Sequence, residues 1–166
     1  MRIRLIAATL LAGASPAFAA EAPPPPKLEF AFEELVTLGA AIPVGKTVLG
    51  ERNIIPITGG TFEGPGLKGT IIPGGWDWQL IRPDGCLQIK ADYMLRTDDG
   101  AVINVINTGV ACPPGVGPGV PLRTQPVFEP PRGKYEWLGQ TAFIGTLELA
   151  GTKDQPAVKI RFYKAS

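Results

Sequence analysis

The chain has 166 residues, a formal net charge of +1 and no histidine. Its lysines and arginines are scattered, which argues against binding to nucleic acid or to an anionic membrane surface. The lack of histidine excludes Ser-His and Cys-His nucleophiles and His-ligated zinc, and two cysteines alone do not make a zinc site. We therefore expect no metal and no cofactor, and acid–base chemistry must use Asp, Glu, Tyr or Lys.

Residues 1–20 have the features of a secretory signal peptide. Arg2 and Arg4 precede an apolar run, and Ala17-Phe18-Ala19 forms a small-residue cleavage site. The run is too short for the ~20 residues that a membrane-spanning helix requires. The alternative is an N-terminal helix of the fold, which the following EAPPPP disfavours. We expect a soluble, exported protein that is periplasmic or secreted, with no membrane insertion.

Residues 21–27 are predicted to form a stiff Pro-rich leader, and residues 28–166 to form one domain. The first strand, residues 28–38, has apolar side chains at even-numbered positions except at Glu34. Either a β-bulge near Glu34 changes which side chains point to the core, or the Glu34 carboxylate points inward. We favour the bulge, or a position near the strand end from which the carboxylate reaches solvent, because a buried unpaired carboxylate is destabilising.

The rest of the chain is predicted to form short strands separated by Gly, Pro and Asp turns. These strands are expected near residues 42–49, 52–58, 67–72, 76–82, 86–97, 101–111, 120–128, 135–149 and 157–163. No sustained helical period and no repeat of fixed length is present. We predict an all-β fold: a single closed or nearly closed antiparallel β-barrel of calycin or lipocalin type, with about nine to ten strands.

The clearest hairpin spans residues 86–112, with Asp98-Asp99-Gly100 at its tip. A three-residue loop makes Thr97 face Ala101, and the same register then brings Cys86 opposite Cys112. The register therefore predicts a Cys86–Cys112 disulfide, which suits an oxidising compartment. On the opposite face, which we assign to the core, Tyr93 and Asn107 are the polar exceptions.

The stretch GGWDWQLIRPDGC at residues 74–86 ends in a Pro83-Asp84-Gly85 turn, so its strand pairs with the strand that starts at Cys86. Asp77 would then face Ala91 and share the core face with Gln79. A slip of one residue would place Trp78 and Leu80 there instead, and both registers remain open.

Asp77 is the candidate catalytic residue. Flanked by two tryptophans, its carboxyl is expected to have a raised pKa and to act as a general acid or base at the mouth of a pocket. The alternative is that Asp77 caps backbone N–H groups of the Gly74–Gly75 turn while the indoles simply pack.

A second aromatic stripe occupies odd-numbered positions from Tyr135 and Trp137 to Phe143. If the strand is unbroken, these side chains share one face of the sheet. We therefore hypothesise that Tyr93, Asn107, Tyr135 and Trp137 line one internal pocket. For Tyr93 and Asn107, a hydrogen bond satisfied within the core is the alternative.

Six runs of the sequence together resemble a family of small bacterial and fungal proteins known as domain of unknown function 3237. These runs, which occur in order over nearly all of residues 28–166, are PITGG, EGPGLKGTIIPGG, DWQLIRPDG, RTDDGAVI, LRTQPVFE and YEWL. The resemblance implies a closed antiparallel barrel with an internal pocket. It also implies, from fungal relatives, cofactor-independent ring closure by addition of a hydroxyl group across an activated alkene.

When the family motifs are matched to this chain position by position, the resemblance implies a role for the following residues: Thr58, Asp77, Gln79, Asp98, Asp99, Arg123, Tyr135 and Trp137. Asp98 and Asp99 are explained by turn geometry alone. The predicted site therefore has Asp77 as catalytic residue and seven ligand-binding residues, which are Thr58, Gln79, Tyr93, Asn107, Arg123, Tyr135 and Trp137.

The expected function is binding of a small, apolar or aromatic molecule inside the barrel, with proton-transfer isomerase, cyclase or lyase activity in addition. The alternatives are a periplasmic protein that binds a ligand without catalysis and a structural or assembly protein. A cavity that contains Asp77 favours a ligand-linked role, whereas a core filled by side chains favours the structural one. The partner is expected to be a small molecule, and a homodimer is an open alternative.

Overall fold

The computed structural model describes residues 22, 24–117, 119 and 121–166, so the predicted signal peptide at residues 1–20 lies outside the described residues. The elements in chain order are β1 (Leu28–Leu38), β2 (Ile42–Thr47), β3 (Gly50–Gly64), β4 (Leu67–Ile81), β5 (Leu87–Thr97), β6 (Val102–Ala111), β7 (Arg123–Glu129), α1 (Trp137–Gln140), β8 (Phe143–Gly151) and β9 (Pro156–Ala165).

Eight of the strands close into an antiparallel barrel. The sheet has the order β1-β9-β8-β7-β6-β5-β4-β3, and β1 pairs with both β9 and β3, which closes the ring. The ninth strand, β2, pairs with the first part of β3 beyond the end of β1. The predicted all-β closed barrel is therefore confirmed, with a strand count inside the expected range.

A glycine bends the long strand β4, for which the sequence predicts two shorter strands. The expected strands at 67–72 and 76–82 are one strand, β4, whose pairing with β5 is interrupted between Ile72 and Trp76. Gly74 lies in this interruption with φ of +111°, a backbone conformation that favours glycine. Long strands that bend at glycines allow a sheet of this size to curl into a barrel.

The expected strand at 135–149 is wrong in its first part. A turn at Gly133 leads into the four-residue helix α1, and β8 starts only at Phe143. Leu138 of this helix is 1% exposed, so α1 covers one end of the barrel with an apolar side chain. The odd-numbered stripe therefore does not share a single sheet face.

The favoured bulge near Glu34 is also wrong. The register of β1 shifts earlier, between Phe30 and Phe32, and from there Phe32, Glu34 and Val36 all point into the barrel. Glu34 is fully buried. It is tolerated there because it is hydrogen-bonded, which lowers the penalty of burying a carboxyl group.

The hairpin of β5 and β6 has the predicted register. Leu87 faces Ala111, Leu95 faces Ile103, and Cys86 and Cys112 are joined by a disulfide with a Cα–Cα distance of 4.2 Å. The disulfide ties together the open end of this hairpin, across a sequence separation of 26 residues.

We expect loss of this disulfide to lower the free energy of unfolding by about 3 kcal/mol without abolishing the fold, because a loop of this size restricts the unfolded chain. Urea denaturation of the oxidised protein and of a Cys86→Ser/Cys112→Ser double variant measures the difference. Addition of a reductant should destabilise the wild type and leave the double variant unchanged. Equal stability of the two oxidised proteins would contradict this prediction.

One end of the barrel is filled by a cluster of phenylalanines. The ring centroids of Phe32 and Phe162 are 4.9 Å apart, and those of Phe128 and Phe143 are 5.0 Å apart. Phe128 and Phe162 meet edge to face, an arrangement that aromatic pairs prefer. This end of the barrel interior is therefore packed with side chains.

Candidate functional site

A cavity of about 620 Å³ occupies the end of the barrel opposite the phenylalanine cluster. Most of its wall is aliphatic, formed by residues that include Leu38, Ile55, Ile57, Leu147, Val158 and Ile160. Exposed residues such as Ala40 and Leu149 also line it, so the cavity opens to solvent at that end. Its volume and apolar walls suit a small, largely apolar ligand.

Four of the predicted site residues lie in this cavity: Asp77, Gln79, Tyr93 and Asn107. Asp77 faces Ala91 across β4 and β5, and Ala91 faces Asn107 across β5 and β6. The three residues therefore form one row on the inner surface, in which the small Ala91 side chain leaves space between two polar groups. This register is the first of the two that the sequence left open.

The tryptophans do not surround the carboxyl group of Asp77. Trp76 and Trp78 are 41% and 42% exposed and point to the outer surface, because neighbouring residues of a strand face opposite sides. The prediction that Asp77 is held between aromatic rings is therefore wrong. The apolar surroundings of the carboxyl group come from the aliphatic wall of the cavity instead.

Asp77 is half-buried, and each of its carboxylate oxygens accepts a hydrogen bond. Oδ2 accepts from Nε2 of Gln79 at 2.9 Å, and Oδ1 accepts from the backbone N–H of Lys90 at 3.2 Å. Burial raises the pKa of Asp77, and these two hydrogen bonds counteract part of that effect. The backbone that Asp77 contacts is thus on β5, not in the Gly74–Gly75 turn.

Beneath the cavity, Tyr93 joins a second acidic group. Its hydroxyl donates a 2.6 Å hydrogen bond to Oε2 of Glu34, which lies on β1 and is separated from Tyr93 by 59 residues in the sequence. Burial raises the pKa of Glu34 to about 8. The pKa of Tyr93 is also raised, by burial and by the charges of Glu34 and Asp77.

Asn107 supplies a polar group that the protein leaves unpaired. Its side chain is 2% exposed and lines the cavity, yet Oδ1 has no hydrogen-bond partner among the residues that the structure describes. Because buried polar atoms in proteins are nearly always paired, such an atom in a cavity wall is suited to contact a ligand.

Two predicted ligand-binding residues lie on the outer surface, away from the cavity. Thr58 is exposed and its hydroxyl donates to Oγ1 of Thr37 at 3.0 Å. Arg123 is exposed as well and donates to the backbone carbonyl of Leu122 at 3.1 Å. The resemblance marked both positions, but it carries no information about which face of a strand a side chain occupies.

Tyr135 and Trp137 do not line the cavity either, so the hypothesis of one pocket with four shared residues is wrong for these two. The Tyr135 hydroxyl donates to the carboxylate of Asp99, at 3.0 Å from each oxygen, and Trp137 packs on Phe143 with centroids 5.9 Å apart. The helical turn α1 changes the direction of the chain between them and β8. Both residues belong to the closed end of the barrel.

Glu34 belongs to the site but is not among the site residues predicted from the sequence. Its signal was present, since an acid at an even position of an otherwise apolar strand face is unusual. Its partner Tyr93 could not be identified, because register arguments connect neighbouring strands and these two side chains meet across the barrel interior.

In the part of the chain that the structure describes, no helix is long and apolar enough to cross a membrane. The same residues contain no group of three or more His, Cys, Asp or Glu side chains placed to hold a metal ion.

Known proteins resemble this chain over most of its length. A UPF0311 protein of Rhodopseudomonas palustris strain TIE-1 is 37% identical over 135 residues, which are 73% of this chain and 88% of that protein. The crystal structure of a beta-barrel like protein from Acinetobacter baumannii AYE has a TM-score of 0.77 at 34% identity, and covers 89% of this chain and 100% of that chain.

A fungal relative has a described activity. The hydroalkoxylation enzyme phnH of Penicillium herquei is 33% identical over 124 residues, which are 75% of this chain and 76% of that protein. The family model described as "Protein of unknown function (DUF3237)" matches residues 26–165. Since this match spans the whole barrel, the chain belongs to the DUF3237 family.

Proposed function

We propose that this protein binds a small, largely apolar molecule inside the barrel and that Asp77 transfers a proton on it, in a cofactor-independent isomerisation or cyclisation. The observation that carries the proposal is the position of Asp77: a half-buried carboxyl group with a raised pKa, on the wall of an apolar cavity of about 620 Å³. Desolvation brings the pKa of a carboxyl group closer to the range useful for acid–base catalysis.

The neighbours of Asp77 support this role. Gln79 fixes the orientation of the carboxylate through its hydrogen bond to Oδ2, and the Lys90 backbone fixes the other oxygen. A carboxylate oxygen has two lone pairs, so each oxygen retains a site that can accept a proton from a ligand. Ala91, opposite Asp77, leaves room for a ligand beside the carboxyl group.

The fungal relative supports the reaction type. Hydroalkoxylation adds an O–H group across a carbon–carbon double bond, so a proton moves from oxygen to carbon and no net oxidation or reduction occurs. A single carboxyl group can accept the first proton and return it in the second step. The cavity of this chain holds such a group, and apolar walls suit a ring-bearing ligand.

A second candidate function is ligand binding without catalysis, in the periplasm or outside the cell. It is favoured by the fact that both oxygens of Asp77 already accept hydrogen bonds within the protein. The Cys86–Cys112 disulfide supports an exported location for either function, because disulfides persist in oxidising compartments. The open cavity argues against the purely structural alternative, for which a filled core is expected.

Native mass spectrometry of the protein purified from its producing cells tests the binding function, because a bound small molecule adds its mass to the intact protein. For catalysis, 2′-hydroxychalcone is a suitable probe: its hydroxyl group can close a ring onto its own activated alkene, and the product absorbs differently. We expect Asp77→Asn to slow this cyclisation about 100-fold or more while binding of the probe persists, because the amide keeps the shape but cannot accept the proton.

Asp92→Asn is the matched control, since Asp92 lies one residue from Ala91 but is exposed on the outer face of β5. Its activity should equal that of the wild type. Cyclisation that is equally fast in Asp77→Asn would end the catalytic proposal. Binding of the probe with no cyclisation by the wild type would favour the non-catalytic alternative.

A further inference from the structure

The Tyr93–Glu34 pair has no part in the proton transfer assigned to Asp77. Glu34 is fully buried, and within the described part of the chain its Oε1 atom has no hydrogen-bond partner. Its neighbours across β3 and β9 are Phe62 and Ile160, so Tyr93 is the titratable group with which it shares a hydrogen bond. An acid maintained in such surroundings destabilises the fold when it is ionised, and groups of this kind are typical of functional sites.

The surroundings of Glu34 determine its protonation state. Because burial raises its pKa to about 8, the carboxyl group is mostly protonated at neutral pH. A protonated carboxyl can donate its own O–H to the oxygen of Tyr93, and the Tyr93 hydroxyl is then free to donate to an oxygen atom in the cavity. The 2.6 Å distance between the two oxygens suits either direction of this hydrogen bond.

Tyr93 and Asp77 lie close together within one cavity. Tyr93 follows Ala91 by two residues on β5, so it points to the same inner face, and Ala91 is the residue that Asp77 faces. The charge of Asp77 contributes to the raised pKa of Tyr93, as expected for groups near each other in an apolar environment. No lysine or arginine belongs to the cavity wall formed by the described residues, so the ligand is expected to enter uncharged.

We propose that the Tyr93–Glu34 pair is an oxyanion-binding site at the floor of the cavity, and that the substrate carries a conjugated carbonyl group whose oxygen it receives. This inference rests on the proposed function, because it assigns the second half of a reaction that Asp77 begins. Hydrogen-bond donors that are already oriented toward a developing negative charge are among the strongest contributions to catalysis.

The chemistry is balanced without any further reactant. Asp77 takes the proton of the substrate hydroxyl as that oxygen forms a bond to the far carbon of the conjugated alkene. The electron pair of the alkene then forms a double bond to the carbonyl carbon, and the π pair of the carbonyl group moves onto its oxygen. That oxygen becomes an enolate oxyanion, which accepts a hydrogen bond from Tyr93. Asp77 then returns its proton to the carbon next to the carbonyl group, which restores the carbonyl and leaves an isomer of the substrate.

Binding of 4-nitrophenol tests this site without requiring turnover. Its phenolate absorbs visible light and has the delocalised negative oxygen of an enolate. The test uses the Asp77→Asn variant as the parent protein. Its neutral amide takes the place of the protonated Asp77 carboxyl group that is present when the oxyanion forms. We expect the parent to bind the phenolate form, so that visible absorption persists at a pH where the free probe is mostly neutral.

Tyr93→Phe in the same parent should weaken phenolate binding by about 10- to 100-fold, the usual effect of losing a hydrogen bond to a charged group. Tyr163→Phe is the control, because Tyr163 packs against Phe30 away from the cavity. Its affinity should equal that of the parent. Equal affinity in Tyr93→Phe, binding of only the neutral probe, or no binding to the parent would each overturn the inference.

Glu34→Gln provides a second measurement that does not depend on how well Tyr93→Phe folds. In the parent, phenolate affinity should fall as the pH rises through about 8, because ionised Glu34 retains the Tyr93 proton and repels the bound oxyanion. In Glu34→Gln this fall should be absent. A fall of the same size in both proteins would overturn the inference, whereas the proposed function is judged separately by the dependence of cyclisation on Asp77.

Discussion

Glu34→Gln is expected to stabilise the protein at alkaline pH and to have little effect near pH 4. The pKa of Glu34 rises from 4.5 to about 8 on folding, so between these values the folded chain holds a proton that the unfolded chain releases. Stability therefore falls as the pH rises through this window. By linkage, the loss in the wild type reaches about 5 kcal/mol once the pH exceeds the folded pKa.

Glutamine is neutral at every pH and can hydrogen-bond to Tyr93, so the variant avoids this loss. Urea denaturation at intervals between about pH 4 and pH 9 should show a gap in unfolding free energy that widens toward high pH. The control is Glu51→Gln, whose side chain is exposed on β3 and should follow the wild type at each pH. A constant gap across the range would show that Glu34 does not titrate as its buried position requires.

The pairing of strands across tight turns was enough to predict much of the barrel and, of the eight predicted site residues, the four that line the cavity. The Asp98-Asp99-Gly100 turn determines which residues of β5 and β6 face each other, and this pairing led directly to Cys86–Cys112. The Pro83-Asp84-Gly85 turn determined the partner of Asp77 in the same way. Tight turns specify pairing within a hairpin because a slip of one residue would turn every side chain to the other face.

Contacts between strands that are distant in sequence could not be predicted by this reasoning. Tyr93 meets Glu34 only because the ring of strands closes through β1, which pairs with both β3 and β9. From the sequence alone, an acid that points inward from β1 has no identifiable hydrogen-bond partner, and a buried unpaired carboxylate is destabilising, so a bulge is predicted instead. Likewise, the helical turn at Trp137 depends on how α1 packs against the end of the barrel, which strand parity does not reveal.

Closure of the barrel depends on a close approach of β1 to β3. Val36 of β1 faces Gly60 of β3, which has φ of +137°. A Cβ atom at this position would lie 2.0 Å from the backbone carbonyl oxygen of Leu35. Backbone at this point cannot move aside without breaking the pairing that brings Glu34 into the interior, so the glycine is required by both the conformation and the space.

We therefore expect Gly60→Ala to lower the free energy of unfolding by about 3 kcal/mol or more, because the alanine is strained at this φ and also collides with the β1 backbone. Gly66→Ala separates the two causes: Gly66 has φ of +72°, and no atom of the described residues lies within 4 Å of a Cβ atom built there. It should lose only about 1 kcal/mol, the usual penalty for alanine in a left-handed conformation. Urea denaturation measures both losses. Equal losses would mean that β1 and β3 can separate at little cost, and the buried position of Glu34 would then not depend on their close approach.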